Sequence, residues 1–410
     1  MKVNRVEQTQ INRNHLMWSV IDRFSFYSKN LYNYANYIIR QEYINNHNYI
    51  KYSQMAKDLK TTEPYKQLMS QASQCTLQVL DRSWKSFFST MKQYKKNPNK
   101  FLGRPKLPKY KKKDGRYPWF LKNNQIYFQN GYLWFKLKVF SGYKFKTHLT
   151  DKDRIISIRF IPKGCIYVLE IIYEKEVPDK IKVESNRIIS IDLGVNNFAT
   201  ITNNIGKQPI IINGRGIKSI NQFYNKRRAK IQSILKKINI KDWSNELSRI
   251  TLKRNNRIKN FMHHASKYII DYCIKNNIFT IVIGKNDGWK QESVLKDKVN
   301  QNFIGIPYEL FIQMMGYKGE NNNIKVIENT ESYTSGTSFI DNELPIKGNY
   351  DKSRRIVRGL FKSNLGMLIN SDVNGSLQIM RKVFPDAIYY SYGIEGCLSP
   401  IIINVVKLAA

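Results

Sequence analysis

Two acidic residues of the sequence stand where a divalent metal ion could be held. Asp192 ends an apolar strand in the segment RIISIDLGVNNFAT (187–200), and a turn at Gly194 separates that strand from the next. Asp372 lies in the segment NSDVNGSL (370–377), which begins a helix with an apolar face. Hard ions such as Mg²⁺ take oxygen ligands, and a pair of them can activate water and stabilise a leaving oxygen. Two such acids in a strongly basic chain therefore indicate metal chemistry on a nucleic acid.

A third acidic ligand is expected from a neighbouring strand of the same sheet. The strand predicted at 278–284 ends in Gly284 and offers no acid there. The next strand, 324–328, is followed by a Ser/Thr-rich turn with an acid at its start. In order of preference the candidates are Glu331, Glu328 and Asp287.

Each of these acids also has a purely structural interpretation. Asp372 suits the first turn of a helix, where the dipole and the free N–H groups favour a carboxylate. Glu331 suits a turn acid that caps backbone N–H groups. The pairing of Asp372 with Asp192 favours the metal-binding interpretation.

The composition indicates a polyanionic partner. The chain has 410 residues, 42% of them hydrophobic, and 68 Lys and Arg against 31 Asp and Glu give a net charge of +37. Such a field attracts nucleic acid, because Lys and Arg replace the counterions of phosphates. The alternative is a ribosome-associated or merely basic protein. The four cysteines form no C-x-x-C pair, so we expect neither a zinc ribbon nor a disulfide framework.

The pattern of apolar residues predicts a mixed, multidomain α+β chain. A short strand up to about residue 14 precedes helices over 15–98, and 117–182 reads as an antiparallel barrel or sheet. From 187 the pattern becomes α/β. Strands are predicted at 187–191, 198–203, 278–284 and 324–328, with a helical stretch at 217–276. No apolar run reaches 18 residues and no signal peptide begins the chain, so we expect no membrane contact and a cytoplasmic location, or a nuclear one in a eukaryotic or viral setting.

Clusters of cations identify candidate nucleic-acid contacts. The segment 95–113 combines three prolines with a dense run of Lys, interleaved with aromatics that suit phosphates and exposed bases. A solvated linker is the open alternative for that segment. The helical stretch predicts a basic hairpin along a duplex. The candidate contacts are Arg104, Lys106, Lys109, Lys111, Lys112, Arg227, Arg228, Arg254, Arg257, Arg354, Arg355 and Arg358.

At these motifs the chain resembles the TnpB family of transposon-encoded, RNA-guided DNA endonucleases, relatives of Fanzor proteins and type V CRISPR effectors. The first RuvC motif is matched by IDLGVNNFAT (191–200) and the third by NSDVNGSLQIMRK (370–382). The helix at 257–270, the segment FIGIP (303–307) and the pair Tyr317–Lys318 also fit the family pattern. The resemblance extends from about residue 75 to the end and is strongest over 187–383.

The chain departs from the family pattern in two places. Gly284 stands where typical members have Glu, and ESYTS (331–335) instead matches a subgroup whose third acid has moved there. The resemblance therefore assigns metal binding and catalysis to Asp192, Glu331 and Asp372. The usual four-cysteine zinc ribbon is also missing, so we expect the insert at about 332–368 to fold without zinc and to bind target nucleic acid.

The resemblance implies an architecture, a reaction and partners. A wedge β-barrel would comprise 1–14 and 105–185, a helical recognition domain 15–104, and a RuvC-like nuclease domain of RNase H-like fold 186–410. The implied activity is RNA-guided cleavage of double-stranded DNA by two-metal hydrolysis, with Mg²⁺ and a guide RNA bound, and we expect one copy of the protein on each guide.

Two other functions share most of these features. A nuclease-dead, RNA-guided DNA-binding repressor is suggested by Gly284 and by the missing ribbon. A compact type V CRISPR-like effector would use the same chemistry and differ in the source of its guide. A DNA-strand transferase has no support, since no Tyr or Ser nucleophile motif appears in the sequence.

Overall fold

Two structural units make up the computed structural model: Lys2–Glu176, and Met1 together with Val177–Ala410. The structure describes residues 1–150, 153–178, 186–238, 243–286, 297–357, 359–386 and 399–405, with only the backbone described for 297–300. No helix in these ranges is long and apolar enough to cross a membrane.

The unit Lys2–Glu176 combines helices with two antiparallel sheets. Its elements are β1 (Lys2–Ile11), α1 (Trp18–Asn46), α2 (Tyr52–Leu59), α3 (Glu63–Lys66), α4 (Ser70–Lys96), β2 (Trp119–Lys122), β3 (Ile126–Gln129), β4 (Tyr132–Phe135), β5 (Lys144–Lys146), β6 (Arg154–Lys163) and β7 (Ile166–Glu176). One sheet has the strand order β1–β7–β6–β2 and the other β3–β4–β5. β1 pairs with β7 along its whole length, so the first strand of the chain closes one edge of the larger sheet.

The helices of this unit form because apolar residues recur on one face. The buried apolar side chains of α1 and α4 include Ile21, Phe24, Leu31, Ala35, Ile39, Leu77, Leu80 and Trp84. These residues share one core with the strand residues Leu133 and Ile158. Since helices and strands share that core, the division into a helical domain at 15–104 and a strand domain at 1–14 and 105–185 stays a prediction, as does the closed barrel.

The second unit is built around a mixed six-stranded sheet. Its elements are β8 (Ile188–Leu193), β9 (Asn197–Asn203), β10 (Ile210–Asn213), α5 (Arg215–Lys237), α6 (Asn245–Lys275), β11 (Thr280–Gly284), α7 (Asp297–Ile304), α8 (Tyr308–Asn321), β12 (Lys325–Asn329), β13 (Leu360–Lys362), β14 (Leu368–Asn370), α9 (Ser371–Val383) and β15 (Ile401–Ile403). The strand order is β12–β11–β8–β9–β10–β15. β9 runs antiparallel to β8 and β10, whereas β11 and β12 run parallel to β8.

Both faces of the central strands are covered. In β8, Ile189 and Ile191 belong to the core that includes α6 and α8. Ile188 and Val282 point to the other face, where they pack against Ile379 of α9. Because side chains alternate along a strand, Ser190 and Asp192 lie on the same face as Ile188, towards α9.

The predicted strands at 187–191, 198–203, 278–284 and 324–328 are confirmed as β8, β9, β11 and β12. The predicted helical stretch 217–276 covers all of α6 and all but the first two residues of α5, and α9 begins after Asn370 as expected. β10 and β15 were not predicted, because runs of three or four apolar residues are too short to show a period.

Candidate acidic site

The carboxyl ends of three parallel strands meet at one edge of the sheet. Ile191 of β8 lies opposite Ile283 of β11, and Ile283 lies opposite Glu328 of β12. Asp192 is the next residue of β8, and Glu331 follows two residues after β12 ends. Strand register therefore brings these two distant carboxylates to the same edge.

A buried cluster of hydroxyl groups holds α9 against β8 and β9. Ser190 Oγ lies 2.7 Å from Thr202 Oγ1 and donates to the carbonyl of Ser376 at 2.6 Å. Ser376 Oγ in turn donates to the carbonyl of Ser190 at 3.0 Å. All three side chains are fully buried. The cluster fixes the N-terminal half of α9, which carries Asp372, beside the strand that carries Asp192.

The N-terminus of α9 positions Asp372. The side chain of Asn370 caps the helix by accepting from the backbone N–H groups of Asp372 and Val373 at 3.0 and 3.2 Å. Asn197 of β9 donates from Nδ2 to Asp372 Oδ2 at 2.7 Å. One turn into α9, a Cβ at Gly375 would lie 3.0 Å from Asp192 Oδ2, so a residue without a side chain lets the helix approach that carboxylate.

Asn286 holds Glu331 with two hydrogen bonds. Its Nδ2 donates to Glu331 Oε1 and its Oδ1 accepts from the Glu331 backbone N–H, both at 3.1 Å. A Cβ at Gly284 would lie 3.0 Å from Glu331 Oε2 and 2.5 Å from Ile379 Cδ1. The carboxylate of Glu331 thus lies beside the end of β11, where Gly284 leaves room for it.

The three carboxylates influence one another electrostatically, and we call Asp192, Glu331 and Asp372 the acidic site. Burial raises the pKa of Asp192 well above its usual range, and the charges of Glu331 and Asp372 raise it further, while Arg355 lowers it. Burial raises the pKa of Glu331 to about 7. At neutral pH, therefore, like charges compete within a partly buried space.

The chemistry and charge of these donors suit a hard divalent ion. All three are carboxylates, and none forms an ion pair with a Lys or Arg of the described residues. The buried hydroxyl of Thr200, which lies directly across from Asp192, has no hydrogen-bond partner in the structure. The three carboxylates are not closely grouped, however. Among the described residues, no three His, Cys, Asp or Glu side chains lie close enough together to hold an ion. Asn197 and Asn286 bind oxygens that an ion would otherwise take.

The other acidic candidates do not belong to this site as the structure shows it. Glu328 is exposed and forms an ion pair with Lys285 at 2.8 Å. Asp287 lies outside the described residues.

The predicted nucleic-acid contacts differ in how much of each side chain is available. Arg254 is partly buried, donates to Asn221 and to the carbonyl of Gly305, and has its pKa lowered by burial. Arg354 donates to both carboxylate oxygens of Glu343 at 2.8 and 2.7 Å. Lys111 is partly buried, and Arg358 lies outside the described residues. The exposed candidates are Arg104, Lys106, Lys109, Lys112, Arg227, Arg228, Arg257 and Arg355.

The residues that sequence reasoning missed are neutral and polar. Asn197 and Asn370 lie inside the two motifs, where the sequence analysis gives them no role of their own. Asn286 and the hydroxyl cluster carried no signal, because amides and small hydroxyls are common in any turn or strand. Only their contacts with the acidic site single them out.

Two comparisons with known proteins test the resemblance to the TnpB family. The family model OrfB_IS605, described as a probable transposase, matches residues 170–290. The chain is also 23% identical over 408 residues to the TnpB-like protein ORF457 of Acidianus two-tailed virus, with 88% of this chain and 82% of that protein covered. The resemblance to the TnpB family is confirmed. The matched range contains Asp192 and Gly284 and ends before Glu331 and Asp372.

Several solved structures of RNA-guided effectors resemble this chain weakly. A Cas12f1–sgRNA–target DNA complex has a TM-score of 0.37 at 15% identity, covering 92% of this chain and 98% of that one. A CRISPR-Cas12f ternary complex has a TM-score of 0.36 at 16% identity, covering 88% and 80%. The mini-RNA-guided endonuclease CRISPR-Cas_phi3 has a TM-score of 0.48 at 10% identity, covering 93% and 92%. All three scores lie below 0.5, so these likenesses do not establish a shared fold.

Proposed function

We propose that this chain is a transposon-associated, RNA-guided DNA endonuclease that hydrolyses phosphodiester bonds of target DNA at the acidic site. The observation that carries the proposal is geometric: strand register brings Asp192 and Glu331 to the same end of the sheet, and the hydroxyl cluster fixes the helix that carries Asp372 beside them. The charges of Glu331 and Asp372 also raise the pKa of Asp192. Three acids that are far apart in sequence therefore share one electrostatic environment. The TnpB-like relative supports the same class of protein.

The sheet supports an RNase H-like nuclease domain over 186–410, as the resemblance implies. An antiparallel group β8–β9–β10 is extended on the β8 side by the parallel strands β11 and β12. The insert at about 332–368 attaches to α9, where Asn374 donates to the carbonyl of Thr337 and accepts from the N–H of Phe339. The wedge domain at 1–14 and 105–185 and the helical domain at 15–104 complete the proposed architecture.

The residues of the chain would share the work as follows. Asp192, Glu331 and Asp372 would hold two Mg²⁺ ions, which supply an activated water and stabilise the leaving oxygen when bound. Asn286 and Asn197 hold two of the carboxylates in place, and the hydroxyl cluster fixes α9 relative to β8. Arg355, which is exposed and acts on the charge of Asp192, would face the DNA backbone near the acids.

The partners we propose are a guide RNA and double-stranded target DNA. The net charge of +37 supports a large polyanionic partner. On α5 the sequence carries eight Lys and Arg and no acid, and most of these side chains are exposed. In RNA-guided systems base pairing reads the target, while the protein binds backbones and a short flanking sequence.

A cleavage assay tests the proposal. The chain would be purified with its bound RNA, the RNA sequenced, and labelled DNA matching the guide supplied with Mg²⁺. We expect Asp192→Ala and Asp372→Ala each to lower cleavage about 10³-fold or more, since each removes charge needed at the metals, and to leave RNA binding unchanged. Glu328→Ala, which removes an exposed and paired carboxylate, is the matched control and should cut normally. Retained cleavage in either Asp variant would contradict the proposal.

A nuclease-dead, RNA-guided DNA-binding protein is the second candidate. It is favoured by the spacing of the acidic groups, since no three His, Cys, Asp or Glu side chains of the described residues are close enough together to hold an ion. It predicts tight binding of matched DNA with no nicking at any Mg²⁺ concentration.

The sequence of the copurifying RNA would separate a transposon-end guide from a CRISPR guide.

A further inference from the structure

A row of polar side chains on α1 holds an extended segment of the chain by its backbone. The row occupies one face of the helix, because its members are spaced by four, three and four residues. The donors and the carbonyls they reach are Lys29 to Lys113 at 2.7 Å, Asn33 to Lys111 at 2.9 Å, and Asn36 and Arg40 both to Pro108 at 3.0 Å. In return, the backbone N–H of Lys111 donates to Asn33 Oδ1 at 2.8 Å.

The segment so held is the basic strap, defined as residues 104–113. It belongs to no helix or strand, and Pro105 and Pro108 favour an extended backbone that needs no ladder partner. Because side chains of α1 bind the carbonyls of Pro108, Lys111 and Lys113, the strap is a fixed element of the fold. This placement argues against a free linker over 104–113, the part of the segment 95–113 that α1 holds.

The cations of the strap point to solvent, with one exception. The ammonium of Lys111 lies over the rings of Tyr32 and Tyr117, 4.6 and 4.9 Å from their centroids, and burial lowers its pKa. The exposed cations are Arg104, Lys106, Lys109, Lys112 and Lys113. No Asp or Glu occurs in the strap, and none of these five forms an ion pair with a described carboxylate. Their charge is therefore available to a ligand.

Exposed aromatic rings accompany the cations. Tyr110 of the strap is 44% exposed, and the guanidinium of Arg40 lies 5.0 Å from its ring centroid. Tyr34 and Tyr37 of α1 come directly after Asn33 and Asn36, the two asparagines that hold the strap, and are 39% and 53% exposed. Cations that bind phosphates, combined with rings on which bases stack, are typical of sites for single strands.

We propose that the basic strap is a preformed binding track for a single-stranded nucleic acid. Lys106, Lys109 and Lys112 contact successive phosphates, and Tyr110 stacks against a base. The clamp from α1 contributes by holding the cations at a fixed spacing, so that little backbone freedom is lost on binding. This role lies outside the acidic site and does not depend on cleavage.

Binding measurements without divalent ions test the track separately from the nuclease. The full chain, freed of nucleic acid at high salt, is titrated by fluorescence anisotropy with a labelled mixed-sequence single strand, as RNA and as DNA, and with the corresponding DNA duplex. The strap variant is Lys106→Ala/Lys109→Ala/Lys112→Ala. Its matched control is Lys57→Ala/Lys60→Ala/Lys66→Ala, which removes three exposed cations from α2, α3 and the residue after α2.

We expect the strap variant to bind the single strand at least about tenfold more weakly, with a salt slope smaller by about 2, since three phosphate contacts are lost. The control should change affinity less than about threefold. Tyr110→Ala should weaken binding about tenfold without changing the salt slope. Equal losses in the strap and control variants, or an equal loss of duplex binding by the strap variant, would overturn the proposal.

Asn33→Ala tests the clamp, because it removes two hydrogen bonds to Lys111 and leaves every charge in place. We expect binding of the single strand to weaken about threefold to tenfold with an unchanged salt slope. Melting curves confirm that the variant is folded. Wild-type affinity in folded Asn33→Ala would show that charge alone matters and that the track is not preformed.

Discussion

The acidic site and the basic strap both concentrate like charges, yet the first buries its charges and the second exposes them to solvent. In the acidic site the carboxylates are partly buried, and burial and mutual repulsion raise the pKa of Asp192. In the strap the cations extend into solvent, where repulsion is screened. The acidic site therefore holds its charge at a cost to stability, whereas the strap displays charge at almost no cost.

In both regions an asparagine side chain holds another residue in place through two hydrogen bonds. Asn286 binds both the carboxylate and the backbone of Glu331, and Asn33 binds both the N–H and the carbonyl of Lys111. An amide both donates and accepts, so it can fix a neighbour without adding charge. The comparison indicates that neutral residues hold the charged residues in place in both regions.

Apart from removing the carboxylates themselves, closing the space beside Asp192 should have the largest effect. Gly375→Ala would place a methyl group 3.0 Å from Asp192 Oδ2, so the carboxylate or α9 must move. We expect cleavage to fall about tenfold to 100-fold, because the carboxylate or the helix must shift by a few tenths of an ångström and a shift of about 1 Å costs about 100-fold, while RNA binding persists. Gly316→Ala in α8, where a Cβ meets nothing within 4 Å, is the control. Full activity in Gly375→Ala would show that this approach of α9 is not needed.

Removing the clamp on Glu331 should have the next largest effect. Asn286→Ala deletes a hydrogen bond that favours the ionised carboxylate, so the pKa of Glu331 should rise above about 7. We expect cleavage at neutral pH to fall about tenfold and the acidic limb of the pH–rate profile to move to higher pH. A uniform loss at every pH would indicate that Asn286 is only structural.

The raised pKa of Glu331 should make the stability of the fold depend on pH. The folded-state pKa of Glu331, about 7, exceeds its ordinary value of 4.5, so the folded chain binds the extra proton between those values. Wild-type stability should therefore decrease as pH rises from about 4.5 to about 7. Glu331→Gln has no carboxyl group to titrate at this position. Its free energy of unfolding should therefore rise relative to that of wild type, by up to about a few kcal/mol, as pH increases across that window. Denaturant titrations without divalent ions at pH 5 and pH 8 measure it, and an equal difference at both pH values would contradict the raised pKa.

The smallest effect on stability should come from the strap. The variant Lys106→Ala/Lys109→Ala/Lys112→Ala removes exposed side chains with no ion-pair partner among the described residues, so the free energy of unfolding should change by less than about 0.5 kcal/mol per residue. The same denaturant titrations measure this change. A much larger loss would mean that these lysines stabilise the fold, and the contrast with the acidic site would fail.

The sequence alone predicted most elements around the acidic site and indicated a kind of chemistry. β8, β9, β11, β12 and α9 could be predicted because the period of apolar residues is a local property. Asp192 and Asp372 stood out because each is polar at a defined end of an apolar element. The excess of Lys and Arg likewise required no structure to indicate a polyanionic partner.

Only the tertiary structure decided which neighbours hold those residues. Strand register placed Glu331 beside Gly284 and set Glu328 outside the site, although the two acids are three residues apart. Folding also turned Lys111 inward onto two tyrosines while the neighbouring Lys112 stayed exposed. Contacts between distant segments depend on how the elements pack, and no local pattern of residues records that packing.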